Sequence, residues 1–174
     1  SKSGPLAARK SPCGFTLDFP SNPPHPCSIP QGILEGLGIR SGGRSCWLSK
    51  EAEMLLVPLS SHAEVRSLTP DYGRLLTISE RAEAQGVIVT APGPEGFDFC
   101  SRYFGPWEGL NEDPVTGSAH TVLAPYWSTL LGKSSFRALQ ASERTGILDV
   151  KLLNSERVEL TGKARLVLRG TLEI

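Results

Sequence analysis

The segment Gly117–Leu131 most constrains what this chain can fold into. Val122, Leu123, Tyr126, Trp127, Leu130 and Leu131 cover most of a helix circumference. A surface helix carries one apolar stripe, whereas a helix apolar all round has to be enclosed. Pro125 lies inside the segment, removes one helical hydrogen bond and predicts a kink. Gly132-Lys133 predicts its stop. Elsewhere, 18 glycines and 14 prolines in 174 residues keep elements short and turns frequent. One enclosed helix among many short strands predicts an α+β fold. Its mostly antiparallel, barrel-like sheet wraps the central apolar helix.

The strands are read from β-favouring runs between turn residues. Leu6–Lys10 and Phe15–Phe19 predict a hairpin or two linked strands around a Ser-Pro-Cys-Gly turn. Residues Pro20–Pro30 form a proline-rich connector. A short helix is expected next, capped by Ser28, with Pro30 in its first turn and Gly36 and Gly38 at its end. Arg44–Leu48 and Glu53–Leu59 predict strands. Ser61 and Glu64 predict a capping box, and Pro70-Asp71-Tyr72 opens a second short helix or turn. Gly86–Thr90 and Phe97–Phe104 predict strands around a loop. After the helix, Phe136–Ala141, Ile147–Leu153, Arg157–Leu160 and Ala164–Ile174 predict strands, the last three as a meander.

Charge excludes several functions. Eighteen basic residues balance eighteen acidic ones, so nothing points to nucleic acid. No run approaches the roughly 18 apolar residues that span a membrane, and no apolar core follows the N-terminus as in a secretory signal. Cys13, Cys27, Cys46 and Cys100 lie far apart and read as free thiols, which suits the cytoplasm. His25 and Cys27 lack a second ligand pair, so no metal is expected. Dinucleotide and P-loop motifs are absent, and no cofactor is expected.

The chemistry concentrates in Glu112-Asp-Pro-Val-Thr-Gly-Ser-Ala-His120. Thr116, Gly117, Ser118 and Ala119 form a turn into the helix, where free backbone N–H groups attract an anion. From spacing alone, Asp113 reads as a turn or helix cap and Ser118 as an N-cap. No nucleophile elbow surrounds Ser118, and His120 points away from it toward the sheet or an interface. Arg102 reads as a solvent-side residue paired with Glu108 or Glu112. Tyr103, Phe104 and Trp107 read as core or pocket wall.

The same run closely resembles the signature of the PhzF family, the phenazine-biosynthesis-like proteins, whose fold is similar to diaminopimelate epimerase. Phe97–Phe104, Leu123-Ala-Pro-Tyr-Trp127, Leu131-Gly-Lys133, Arg157–Gly162 and Gly170-Thr-Leu172 extend the resemblance. Ser3–Arg9 and Leu17–Pro20 resemble the family's mid-chain crossover. The similarity covers nearly all of this chain but only the second half of a family member. It implies crossover strands from a missing first lobe over 1–19, a second-lobe barrel over 20–162 and a closing strand over 163–174.

The resemblance implies a cofactor-independent isomerase that moves a proton on a small carboxylate-bearing substrate. Asp113 and Ser118 become the catalytic residues, with Thr116, Gly117, Ser118 and Ala119 binding substrate. The family's main acid/base glutamate and its Gly-His motif have no counterpart here. With Ser1 in place of an initiator methionine, a processed or partial product is expected. Such a chain pairs with itself or with a first-lobe polypeptide, or it serves as a non-catalytic binding or scaffold protein.

Overall fold

The structure, a computed structural model, describes residues 6–11, 14–40, 44–164, 167–168 and 170–171. The chain opens with β1 (Ala7–Ser11), β2 (Gly14–Pro20), β3 (His25–Cys27), α1 (Ile33–Gly36), β4 (Cys46–Ser49) and β5 (Met54–Pro58). There follow α2 (His62–Ser67), α3 (Tyr72–Leu76), β6 (Gly86–Pro92), β7 (Phe99–Gly105), a 3-10 turn at Pro106–Glu108 and β8 (Leu110–Asp113). It continues through α4 (Gly117–Leu131), β9 (Ser135–Gln140), β10 (Gly146–Leu152) and β11 (Arg157–Gly162).

These strands form one sheet in the order β1-β2-β11-β10-β9-β7-β6-β5-β4-β3, with β8 paired to β7. Antiparallel pairs predominate, but β5–β6 and β7–β9 are parallel, so the sheet is mixed. Among the described residues the expected barrel does not close, because β1 and β3 remain as ends.

Chain connectivity nevertheless forces a tight curl. Only residues 21–24 separate β2 from β3, which bridges roughly 18 Å at full extension. Eight strand spacings lie between those two strands in the sheet order, about 38 Å if flat. The sheet therefore bends around α4 until a short linker spans the gap. That linker is fastened to the helix. Pro125 cannot donate to the Thr121 carbonyl, and the Asn22 N–H binds that carbonyl at 3.1 Å instead. The Asn22 side chain adds a 2.8 Å bond to Thr121 Oγ1.

Alternation along the central strands builds two cores. Leu55, Val57, Val87, Val89, Cys100 and Phe104 face one side, where Ile33, Leu37, Val65 and Leu75 of α1–α3 cover them. Met54, Leu56, Ile88, Phe99 and Tyr103 face the other, packed on Val122, Leu123 and Trp127 of α4. Strands β9–β11 complete that second core with Phe136, Ala138, Leu148, Val150, Val158 and Leu160. Phe99 stacks on Trp127 with centroids 5.5 Å apart.

Several local expectations shift. Helix α1 is capped by Gly32 at φ 89°, not by Ser28, and begins only at Ile33. Ser61 caps α2 as expected, but Glu64 reaches back to the Ser60 N–H rather than to Ser61. Strand β2, not a strand after β11, continues the β9–β10–β11 meander. Residues 163, 164, 167, 168, 170 and 171 lie outside any strand, and the remainder of the expected closing strand lies outside the described residues.

His120 is part of the helix core and is fully buried. Its Nδ1 lies 2.8 Å from the Thr116 carbonyl, so that nitrogen carries the proton, and Nε2 has no partner. Burial pushes the imidazole down from 6.5 to about 4. Between those values the unfolded chain takes up a proton that the native chain refuses, so stability falls with pH. Denaturant titrations should show stability lost from about pH 6.5 down to about pH 4. His120→Asn, which keeps a donor for Thr116, should flatten that slope; an unchanged slope would contradict the assignment.

Candidate functional site

Helix α4 starts directly beyond β8, and two polar side chains fix the join. The first is Arg102 on β7. It binds both carboxylate oxygens of Glu112, at 2.7 and 2.9 Å, and donates to the Val65 and Leu68 carbonyls at 3.2 and 2.9 Å. The pairing with Glu112 is as the sequence predicts, but Arg102 is buried rather than solvent-side. Its guanidinium also lies over the Phe104 ring at 4.8 Å. A planar bidentate clamp of this kind holds the loop in one register. Glu108 instead accepts the Tyr103 hydroxyl at 2.7 Å. Burial, with Glu108 adding to it, raises the Tyr103 phenol above its ordinary value.

The second is Gln140 on β9, fully buried. Its Oε1 accepts the Thr116 N–H at 2.7 Å, and its Nε2 donates to the Asp113 carbonyl at 2.7 Å and Thr116 Oγ1 at 3.1 Å. The Thr116 hydroxyl in turn donates to Asp113 Oδ2 at 2.7 Å. Ser142 Oγ closes the loop with a 2.8 Å bond to the Pro114 carbonyl. Every side chain here holds the loop rather than the helix.

The consequence is an uncapped helix end. Thr116 occupies the N-cap position, but its side chain caps no backbone N–H. Neither Asp113 nor Ser118 takes the capping place that spacing alone suggests. Among the described residues, the first-turn N–H groups of Gly117, Ser118 and Ala119 therefore have no side-chain acceptor, at the positive end of the helix dipole. Gly117 is not demanded by packing, since a Cβ there would meet Leu160 Cδ1 at an ordinary 3.7 Å.

Ser118 is exposed and borders a cavity of about 490 Å³ at the gap in the sheet. Its other lining residues are Leu6, Phe19, Pro20, Asn22 and Thr121, together with Glu51 from the β4–β5 turn. Asp113 is half-buried and is not among the lining residues. The structure thus gathers Thr116, Gly117, Ser118 and Ala119 on one helical turn and ties Asp113 to them through Thr116. It does not place the Asp113 and Ser118 side chains on one cavity wall. Among the described residues no cluster of three or more His, Cys, Asp or Glu is arranged to hold a metal.

Sequence reasoning misses Gln140, Glu51 and Asn22. Gln140 leaves a signal, because it occupies the core-facing phase of Phe136 and Ala138 and so needs buried partners. Glu51 leaves none. Its place beside Ser118 depends on how β4 and β5 sit in the curled sheet. His120 faces the core, and Tyr103 and Phe104 are core residues. Trp107 is half-buried and donates to the Leu75 carbonyl at 3.1 Å.

Comparison with known proteins agrees with this architecture. The profile of the phenazine biosynthesis-like protein family matches residues 37–170. An uncharacterized isomerase from Pseudomonas aeruginosa is 43% identical over 99% of this chain and 62% of its own length. The phenazine biosynthesis-like domain-containing protein of Homo sapiens is 40% identical over 98% of this chain and 62% of its own. The crystal structure of a PhzF-family phenazine biosynthesis protein from Enterococcus faecalis superposes with a TM-score of 0.84 at 36% identity. That match covers 100% of this chain and 63% of that one. The chain thus spans somewhat over three fifths of these relatives' length. With the signature loop clamped between β7, β9 and α4 in the fold these relatives share, the chain belongs to the phenazine biosynthesis-like, or PhzF, family.

Proposed function

We propose that this chain carries the substrate-carboxylate half of a cofactor-independent isomerase. The reaction is transfer of a proton on a small carboxylate-bearing molecule, shifting a double bond or inverting a carbon. One observation carries the reading: a 15-residue helix whose first-turn N–H groups have no side-chain cap, beside a cavity bordered by Ser118. The substrate carboxylate sits on those N–H groups. Ser118 binds it and relays a proton. Asp113 keeps the Thr116 hydroxyl away from the helix end and steadies the moving charge. The main acid/base belongs to the portion of the relatives that this chain does not match. In this reading the chain is one lobe of a diaminopimelate-epimerase-like fold, and substrate is held between two lobes.

A second reading, a non-catalytic binding protein, draws on one fact. The Asp113 carboxylate does not line the Ser118 cavity, so no acid pair flanks a ligand there. Incubation in deuterated buffer with a panel of small aliphatic and aromatic carboxylates separates the two. Deuterium in recovered ligand supports the isomerase, and binding without exchange supports the second reading.

Calorimetry with the same panel tests the seat. Ser118→Ala should keep the thermal midpoint yet weaken binding about tenfold, the scale of one lost charged hydrogen bond, and Gly117→Ala should weaken it because the added Cβ crowds the approach to the N–H groups. Asp113→Asn, which loosens the hold on Thr116, should weaken it as well. Native affinity in all three would remove the site assignment. Sedimentation velocity should show a homodimer, or a complex once a first-lobe polypeptide is added. A monomer in both conditions contradicts the pairing.

A further inference from the structure

Strand β3 is one end of the sheet, and its pairing sets two cysteines face to face. The register is His25↔Leu48, Pro26↔Trp47 and Cys27↔Cys46. Pro26 has no N–H, so Pro26 and Trp47 cannot be a hydrogen-bonded pair. By alternation, Cys27 and Cys46 are one, with Cα atoms about 5.5 Å apart. Disulfides take Cα separations of about 4.4–6.8 Å. Directly opposed residues also project to the same face of a sheet. Both cysteines pack into the same core, and the Cys46 thiol donates to the Trp47 carbonyl at 3.7 Å. Cys46 is buried and Cys27 only partly so, which makes Cys27 the more accessible residue of the pair. Cys100, by contrast, is buried on β7 with its thiol on the Pro92 carbonyl at 3.7 Å.

We propose that Cys27 and Cys46 are a redox-active dithiol, which a small disulfide such as glutathione disulfide converts into an intrachain cross-link. The Cys27 thiolate attacks one sulfur of glutathione disulfide, whose S–S bond breaks and releases the first glutathione. Cys46 then loses its proton, and its thiolate attacks the Cys27 sulfur of the mixed disulfide, releasing the second. Two protein thiols are oxidised by two electrons, one glutathione disulfide becomes two glutathiones, and the two thiol protons end on them. Burial and the neighbouring Cys27 raise the Cys46 thiol, so the second step is the slower one.

The position gives the bond a consequence. Three residue pairs, one containing a proline, attach β3 to the sheet. The linker just before it carries Asn22 into the Ser118 cavity, and β4 leads into the turn that carries Glu51. A Cys27–Cys46 bond therefore joins the two segments that bring Asn22 and Glu51 to the cavity mouth.

Treatment of the purified chain with glutathione disulfide, followed by peptide mapping and amide hydrogen exchange, tests this. A Cys27–Cys46 linked peptide, two hydrogens lighter than its reduced parts, is expected, with slower exchange over residues 22–27. Cys27→Ser, a conservative change at a partly exposed site, should abolish both. A stable glutathione adduct on Cys27 without the link, or a link through Cys13 or Cys100, would overturn the proposal. So would a Cys27–Cys46 link that leaves exchange over 22–27 unchanged, because the bond would then not act on the cavity mouth.

Discussion

A helix that is apolar round most of its circumference dictates the rest of this molecule. Alone in water, α4 would expose Val122, Leu123 and Trp127, together with their neighbours. One flat sheet covers only one stripe of a helix. The sheet therefore curls, so that strands from β2 round to β4 contribute to the same core. Among the described residues, curling without closure leaves a seam, crossed by residues 21–24. At that seam α4 meets solvent, and Ser118, Thr121, Pro125 and Thr129 recur along it at helical spacing among the cavity linings.

Pro125 shows how a local fault becomes useful. In a helix interior it costs a hydrogen bond and leaves the Thr121 carbonyl free. Asn22 takes up that carbonyl and so fastens the linker across the seam. The N-terminal end of the same helix follows the opposite logic. There Gln140, Arg102 and Thr116 satisfy the loop and leave the helix N–H groups uncapped. At both places the structure turns on which backbone groups of α4 are paired and which are not. The proposed carboxylate seat is that uncapped end, beside the Ser118 cavity.

Much of this was legible in the residues, for identifiable reasons. The limits of α4 match its sequence boundaries, because Thr116-Gly117 and Gly132 punctuate a long apolar run. Strands β6, β7 and β9–β11 were readable from β-branched and aromatic runs of six or seven residues. Strands β3 and β8 were not, being three and four residues long, with a proline in one. Their pairing is decided by a partner strand rather than by their own composition. The Arg102–Glu112 pair was visible as two complementary charges, but its burial under α2 was not. Gln140, on a strand, and Glu51, in a turn, lie 24 and 67 residues away from Thr116 and Ser118 respectively, and no local pattern encodes such contacts.

The most direct test of the account is amide-resolved NMR of the labelled chain during titration with a small carboxylate such as benzoate. The account predicts saturable shifts concentrated at the Gly117, Ser118 and Ala119 amides, with smaller ones at Asn22, Glu51 and Thr121 around the cavity. Shifts that map elsewhere, or amides of that turn that stay unmoved while benzoate binds, would contradict it.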